Sequence, residues 1–134
     1  MQQQNNKSTL DDLKDAIGKF VTERDWDKFQ NIRSLAISLS LEVGELMDHI
    51  QWLNDSEVEE FEKDGKNKAI VGEELADILS YVLIAADRMD IDLDDIFFKK
   101  LEKNKKKYPV EKFQNLTREE DNKIYQKTRE EYKE

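Results

Sequence analysis

The chain has 134 residues, with 22 Lys and Arg against 31 Asp and Glu, a formal net charge of −9, and charged side chains at 40% of positions. That length suits one domain, and the scarcity of Gly (four) and Pro (one) excludes collagen-like and Gly/Pro-rich chains and argues against a turn-rich β-sandwich. With no cysteine there is no disulfide framework, no thiolate zinc site and no Cys nucleophile.

Residues 1–7 form a polar leader, expected to be disordered. Ser8 or Thr9 then offers a helix N-cap, and Asp11 and Asp12 stand where the helix dipole favours acids. Leu10, Leu13, Ile17, Phe20 and Val21 follow at helical spacing, which predicts a first amphipathic helix of about four turns. After a polar break at 22–25, Phe29, Ile32, Leu35, Ala36, Leu39, Val43, Leu46, Met47 and Ile50 predict a second, longer helix reaching about Leu53. The acidic stretch from Asn54 to Asn67 reads as a loop with one helical turn. A third helix is expected from about Ala69 to Met89, and a fourth from an Asp92 N-cap to Lys107, where Tyr108-Pro109 stops it. The charged remainder has a candidate helix from Thr117, anchored by Ile124, Tyr125 and Tyr132. Nothing alternates with period two, so the expected class is all-α, a four-helix-bundle-like fold over residues 8–112 with a charged C-terminal helix or tail at 113–134.

No run of about 18 apolar residues exists, and the first residues lack a signal peptide's apolar core, so a cytoplasmic protein without a membrane contact is expected. The acid excess argues against polymeric nucleic acid, which needs a basic face. It does not exclude a phosphate ligand delivered with metal ions.

The chemistry gathers in two helices. Glu42 and Glu45 are three residues apart on one face of the second helix, inside the most apolar stretch of the chain. Glu74 and Asp77 repeat the spacing on the third helix. Isolated Glu pairs on helices are usually solvated. Two pairs framed by core-type residues are another matter, because packing the helices together would gather four anions at a desolvation cost. A divalent cation removes that cost, and a set made only of carboxylates suits Mg²⁺ or Mn²⁺ better than zinc.

ExxE at Glu42 and Glu45, then 28 residues, then ExxD at Glu74 and Asp77, resembles the signature of the MazG-like all-α nucleoside triphosphate pyrophosphohydrolases. The segments Glu23-Arg24-Asp25-Trp26-Asp27-Lys28-Phe29, Gln51-Trp52, Glu73 to Tyr81, and Lys100, Asn104, Lys107 and Tyr108-Pro109 are similar to the dCTP pyrophosphatase branch. The resemblance spans about residues 9–112. It implies a MazG-type fold assembled as a homodimer or homotetramer, and hydrolysis of a (deoxy)nucleoside triphosphate such as dCTP to the monophosphate and pyrophosphate.

By that resemblance Glu42, Glu45, Glu74 and Asp77 would hold Mg²⁺, and Glu45 or Glu42 would take the proton of the attacking water. Trp26 and Trp52 would enclose the base, although core packing is the ordinary role of such a residue. Tyr81, one turn beyond Asp77, would meet the sugar or pack in the core. Arg33 is the basic residue of the second helix. Lys100, Asn104 and Lys107 share a face of the fourth helix and would contact phosphate or sugar, while the surrounding lysines offset the dipole at a helix end. Two departures bear on substrate choice: Ser34 follows Arg33 where relatives often carry Asn, and Ile17 stands where dCTP-type members can carry His. His49, the only histidine, reads as a helix-surface residue rather than a ligand. The alternatives are a non-catalytic acidic helical interaction module, or a pyrophosphohydrolase for phosphoribosyl-ATP or damaged nucleotides.

Overall fold

A computed structural model describes residues 8–133. The expected leader at 1–7 lies outside the described residues. Among these residues every regular element is helical: α1 (Leu10–Thr22), a short 3₁₀ turn (Asp27–Phe29), α2 (Ile32–Asp48), α3 (Asp55–Lys63), α4 (Gly65–Arg88), α5 (Leu93–Lys107), α6 (Val110–Phe113) and α7 (Arg118–Glu131). They fall into two compact units, one ending at Ile91 and the other beginning at Asp92. Apolar periodicity predicts four long helices in one bundle. The first unit holds three, α1, α2 and α4, with the short α3, and α5 opens the second unit.

Helix boundaries follow local polar chemistry. Thr9 caps α1 reciprocally with Asp12, whose carboxylate accepts from the Thr9 backbone N–H (2.7 Å) and hydroxyl (2.8 Å). These bonds hold the Asp12 carboxyl below the usual range. Asn31 caps α2 in the same manner with Ser34, so α2 starts after Phe29, which sits in the 3₁₀ turn. The second helix is therefore shorter at both ends than its apolar periodicity predicts, stopping at Asp48 before a turn through Trp52.

The acidic stretch expected as a loop is mostly helix. Asn54 accepts from the Glu57 backbone N–H while Glu57 accepts from that of Asn54, and this capping box starts the nine-residue α3. Asp64 alone separates α3 from α4. Its extended backbone ends one helix, and its carboxylate accepts from the Lys66 and Asn67 N–H groups to start the next. The third expected helix thus begins at Gly65, a full turn early.

In the first unit α4 is the hub, with α1, α2 and α3 all packed against it. Its fully buried apolar core is small: Val21 of α1, Leu35 of α2, and Leu83 and Ala86 of α4. Large apolar side chains on α2 remain exposed, among them Ile37, Leu41 (62% exposed) and Met47. In the second unit Tyr108 stacks on Tyr125 (centroids 5.4 Å apart, planes 17° apart) and meets the edge of Phe113. The helix expected from Thr117 is α7, capped by Thr117; Thr128 is its buried residue, while Tyr125 is 39% and Tyr132 56% exposed.

Candidate active site

The two acidic motifs come to one place because α2 and α4 pack side by side. Within α2, Glu42 and Glu45 stand about a turn apart on one face, and α4 supplies Glu74 opposite them. One carboxylate oxygen from each of Glu42, Glu45 and Glu74 lies within 4.8 Å of the others. Glu42 and Glu74 are half-buried, and Glu74 keeps only 16% of its side-chain exposure. Glu45 is exposed.

Asp77 is outside this group of three. Its side chain is one methylene shorter than Glu, so it reaches less far from α4, yet its charge is felt at Glu42. The Glu42 carboxyl is raised above its ordinary 4.5, first by burial and then by repulsion from Glu45, Asp77 and Glu74. A cation bound here would relieve that repulsion at Glu42.

The donor set fits a hard divalent ion. It is all oxygen, it contains no thiolate, and its spread is close to the roughly 4 Å that separates opposite ligands of Mg²⁺ at about 2.0–2.1 Å each.

His49, expected as a helix-surface residue, makes a contact from α2 to α4 that helical spacing alone does not reveal. It caps the C-terminus of α2, and its Nε2 lies 3.2 Å from Glu74 Oε1. The signal was present: His49 is four residues beyond Glu45 and seven beyond Glu42, which sets all three on one stripe of the helix.

The other expected residues lie on several elements. Trp26, 46% exposed, precedes the 3₁₀ turn and meets the edge of Phe20 at 5.8 Å. Trp52, 86% exposed, projects from the turn after α2. Tyr81 is half-buried on α4, and Arg33 is exposed in the first turn of α2. Lys100, Asn104 and Lys107 lie on α5 in the second unit. There Lys107 Nζ sits 5.4 Å from the Tyr108 ring centre and 5.5 Å from that of Tyr132, which gives it a packing role of its own. Ile17 lines an apolar groove of about 340 Å³ between α1 and α4, with Leu13, Phe20, Leu79 and Ser80.

An all-α chain thus gathers carboxylates from two packed helices into one cluster that could hold a divalent ion. Residues 37–122 match the model of the MazG-like family. The chain belongs to the MazG-like family. It is 37% identical over 102 residues to dCTP pyrophosphatase 1 of Mus musculus, covering 76% of this chain and 60% of that protein. Against dCTP pyrophosphatase 1 of Homo sapiens it is 35% identical over 102 residues, with the same coverage. The chain thus spans about 60% of the length of these mammalian relatives. The crystal structure of a pyrophosphatase from Archaeoglobus fulgidus DSM 4304 superposes with a TM-score of 0.69 at 36% identity, covering 81% of this chain and 99% of that one.

Proposed function

We propose that this chain is a Mg²⁺-dependent nucleoside triphosphate pyrophosphohydrolase that converts a deoxynucleoside triphosphate, with dCTP the first candidate, to the monophosphate and pyrophosphate. The observation that carries the reading is the approach of Glu42, Glu45 and Glu74 to within 4.8 Å across two helices. Family membership and the similarity to dCTP pyrophosphatases support it.

In this reading Glu42, Glu45 and Glu74 hold the metal, with Asp77 adding charge and reaching in by a change of rotamer. Bound there, Mg²⁺ would supply charge neutralisation for the triphosphate, with Mn²⁺ a substitute. Glu45 or Glu42 takes the proton of the attacking water. Trp26 and Trp52 offer flat apolar faces to a base, and such stacking contributes about 1–3 kcal/mol per base in other nucleic-acid sites. Tyr81 contacts the sugar. Arg33, Lys100, Asn104 and Lys107 are the candidates for phosphate contacts.

The reading includes self-association as a homodimer or homotetramer. A unit with four fully buried apolar residues and a row of exposed Ile, Leu and Met on α2 leaves apolar surface that a second copy would cover.

The test is a panel of dNTPs and NTPs, extended to phosphoribosyl-ATP and oxidised nucleotides, incubated with Mg²⁺ or with EDTA and resolved into products. Monophosphate plus pyrophosphate is expected, lost with EDTA and with Glu45→Ala. Release of single phosphate would point to a phosphatase. No turnover of any nucleotide, together with no metal binding, would leave an interaction module in its place.

A further inference from the structure

We infer that His49 is a positioning residue for the carboxylate cluster, its Nε2–H holding Glu74 toward Glu42 and Glu45; this rests on the pyrophosphohydrolase reading above. The contact is 3.2 Å long and joins residues 25 apart in sequence, one on each of the two helices that build the cluster. An ionised carboxylate can only accept, so the ring nitrogen that faces it is the one bearing a proton. That holds for the neutral Nε2–H tautomer and for the imidazolium alike, so the role does not depend on the charge of the ring.

Glu74 is the cluster member that comes from α4, and its long side chain has several rotamers open to it. A donor fixed at the end of α2 selects the rotamer that keeps Glu74 beside the α2 acids. Hydrogen bonding at Oε1 leaves the remaining lone pairs of the carboxylate for a cation. His49 itself is not a member of the carboxylate group, which makes it a support rather than a ligand. Partners that orient metal-binding carboxylates are commonly worth about 10–100-fold in metal affinity.

Two amide substitutions separate this role from simple packing, because His49 is exposed and both are polar. In His49→Gln the side-chain amide nitrogen sits close to the position of Nε2. In His49→Asn it is one methylene short of Glu74. The measurement is the Mn²⁺ dissociation constant of the full chain without nucleotide, read by electron paramagnetic resonance of the free ion. The metal-free melting temperature and the Mg²⁺ dependence of dCTP hydrolysis are recorded alongside it.

His49→Asn is expected to weaken Mn²⁺ binding by about tenfold or more, with His49→Gln within about threefold of wild type. The Mg²⁺ concentration for half-maximal hydrolysis should rise with the same pattern, while kcat at saturating Mg²⁺ changes little. Equal Mn²⁺ affinity in wild type and His49→Asn overturns the inference, as does equal weakening by Asn and Gln. A wild-type chain that neither binds Mn²⁺ nor hydrolyses any nucleotide overturns the pyrophosphohydrolase reading and the inference with it. Normal wild-type binding and turnover with an indifferent His49→Asn sinks the inference alone.

Discussion

Replacing Glu42 by Gln should stabilise the metal-free protein at neutral pH and abolish its stabilisation by Mg²⁺. Glu42 faces two carboxylates at no more than 4.8 Å. At that separation two unit charges repel by about 1 kcal/mol at the dielectric constant of water and about 3.5 kcal/mol at an effective value of 20. Glu45 is exposed and salt screens it, so the lower figure applies to that pair. Relief of both contacts, discounted for screening, comes to about 1–2 kcal/mol, or a rise of about 3–8 °C in melting temperature for a chain of this size.

The pH dependence has a definite sign. The folded-state pKa of Glu42 lies above its ordinary 4.5, so between those values the folded chain holds more protons than the unfolded one. Stability relative to the Gln variant therefore falls as pH rises through the folded pKa, and the difference closes below 4.5. Thermal melts of wild type and Glu42→Gln in EDTA across this range, at one protein concentration, test this, and a repeat with Mg²⁺ should reverse the order. A Gln variant less stable than wild type in EDTA at pH 7.5, or a gap that does not change with pH, would refute the view that Glu42 is held against its neighbours' charge.

Trp52→Ala should leave the melting temperature within about 2 °C of wild type, because an 86% exposed side chain contributes little packing, but raise KM for the nucleotide about tenfold if the indole stacks on the base; steady-state kinetics and a thermal melt read the two separately. Asn54→Ala removes the acceptor that starts α3 and should cost about 1 kcal/mol in a urea titration, with Asn54→Asp close to wild type. Leu35→Ala opens a cavity at the most buried side chain of α2 and should cost about 2–5 kcal/mol by the same titration.

The helical class, the Thr9 and Asp92 caps, a last helix starting at Thr117 and the paired acids were all legible in the sequence, because each depends on spacing within one helix. The errors arose where side-chain chemistry overrode apolar periodicity. The pattern that begins at Phe29 is continuous, but the Asn31–Ser34 capping box starts α2 after it. The 54–67 stretch is too acidic to show an apolar stripe, yet the Asn54–Glu57 box and Asp64 make most of it helix. Periodicity reports which residues face the core, and α3 has no buried residue to report. At the site, the Glu42, Glu45 and Glu74 cluster followed from two local spacings and one helix contact. The His49–Glu74 bond did not, since it depends on where α2 stops and how α4 passes it, neither of which a single helix pattern contains.

The net charge of −9 has two physically distinct parts. Asp55, Glu57, Glu59, Glu60, Glu62 and Asp64 are exposed on and beside α3, where water screens them and two of them serve as helix-capping groups. They give the surface a sign that repels a polyanion. Glu42, Glu45 and Glu74 have the same formal charge but oppose one another at close range, and burial at Glu42 adds to the cost. Only the second group gains much from a divalent ion, and on the proposed function that gain would draw the cation and the triphosphate it accompanies to this cluster. The acid excess is therefore compatible, on the proposed function, with a nucleotide delivered with its metal.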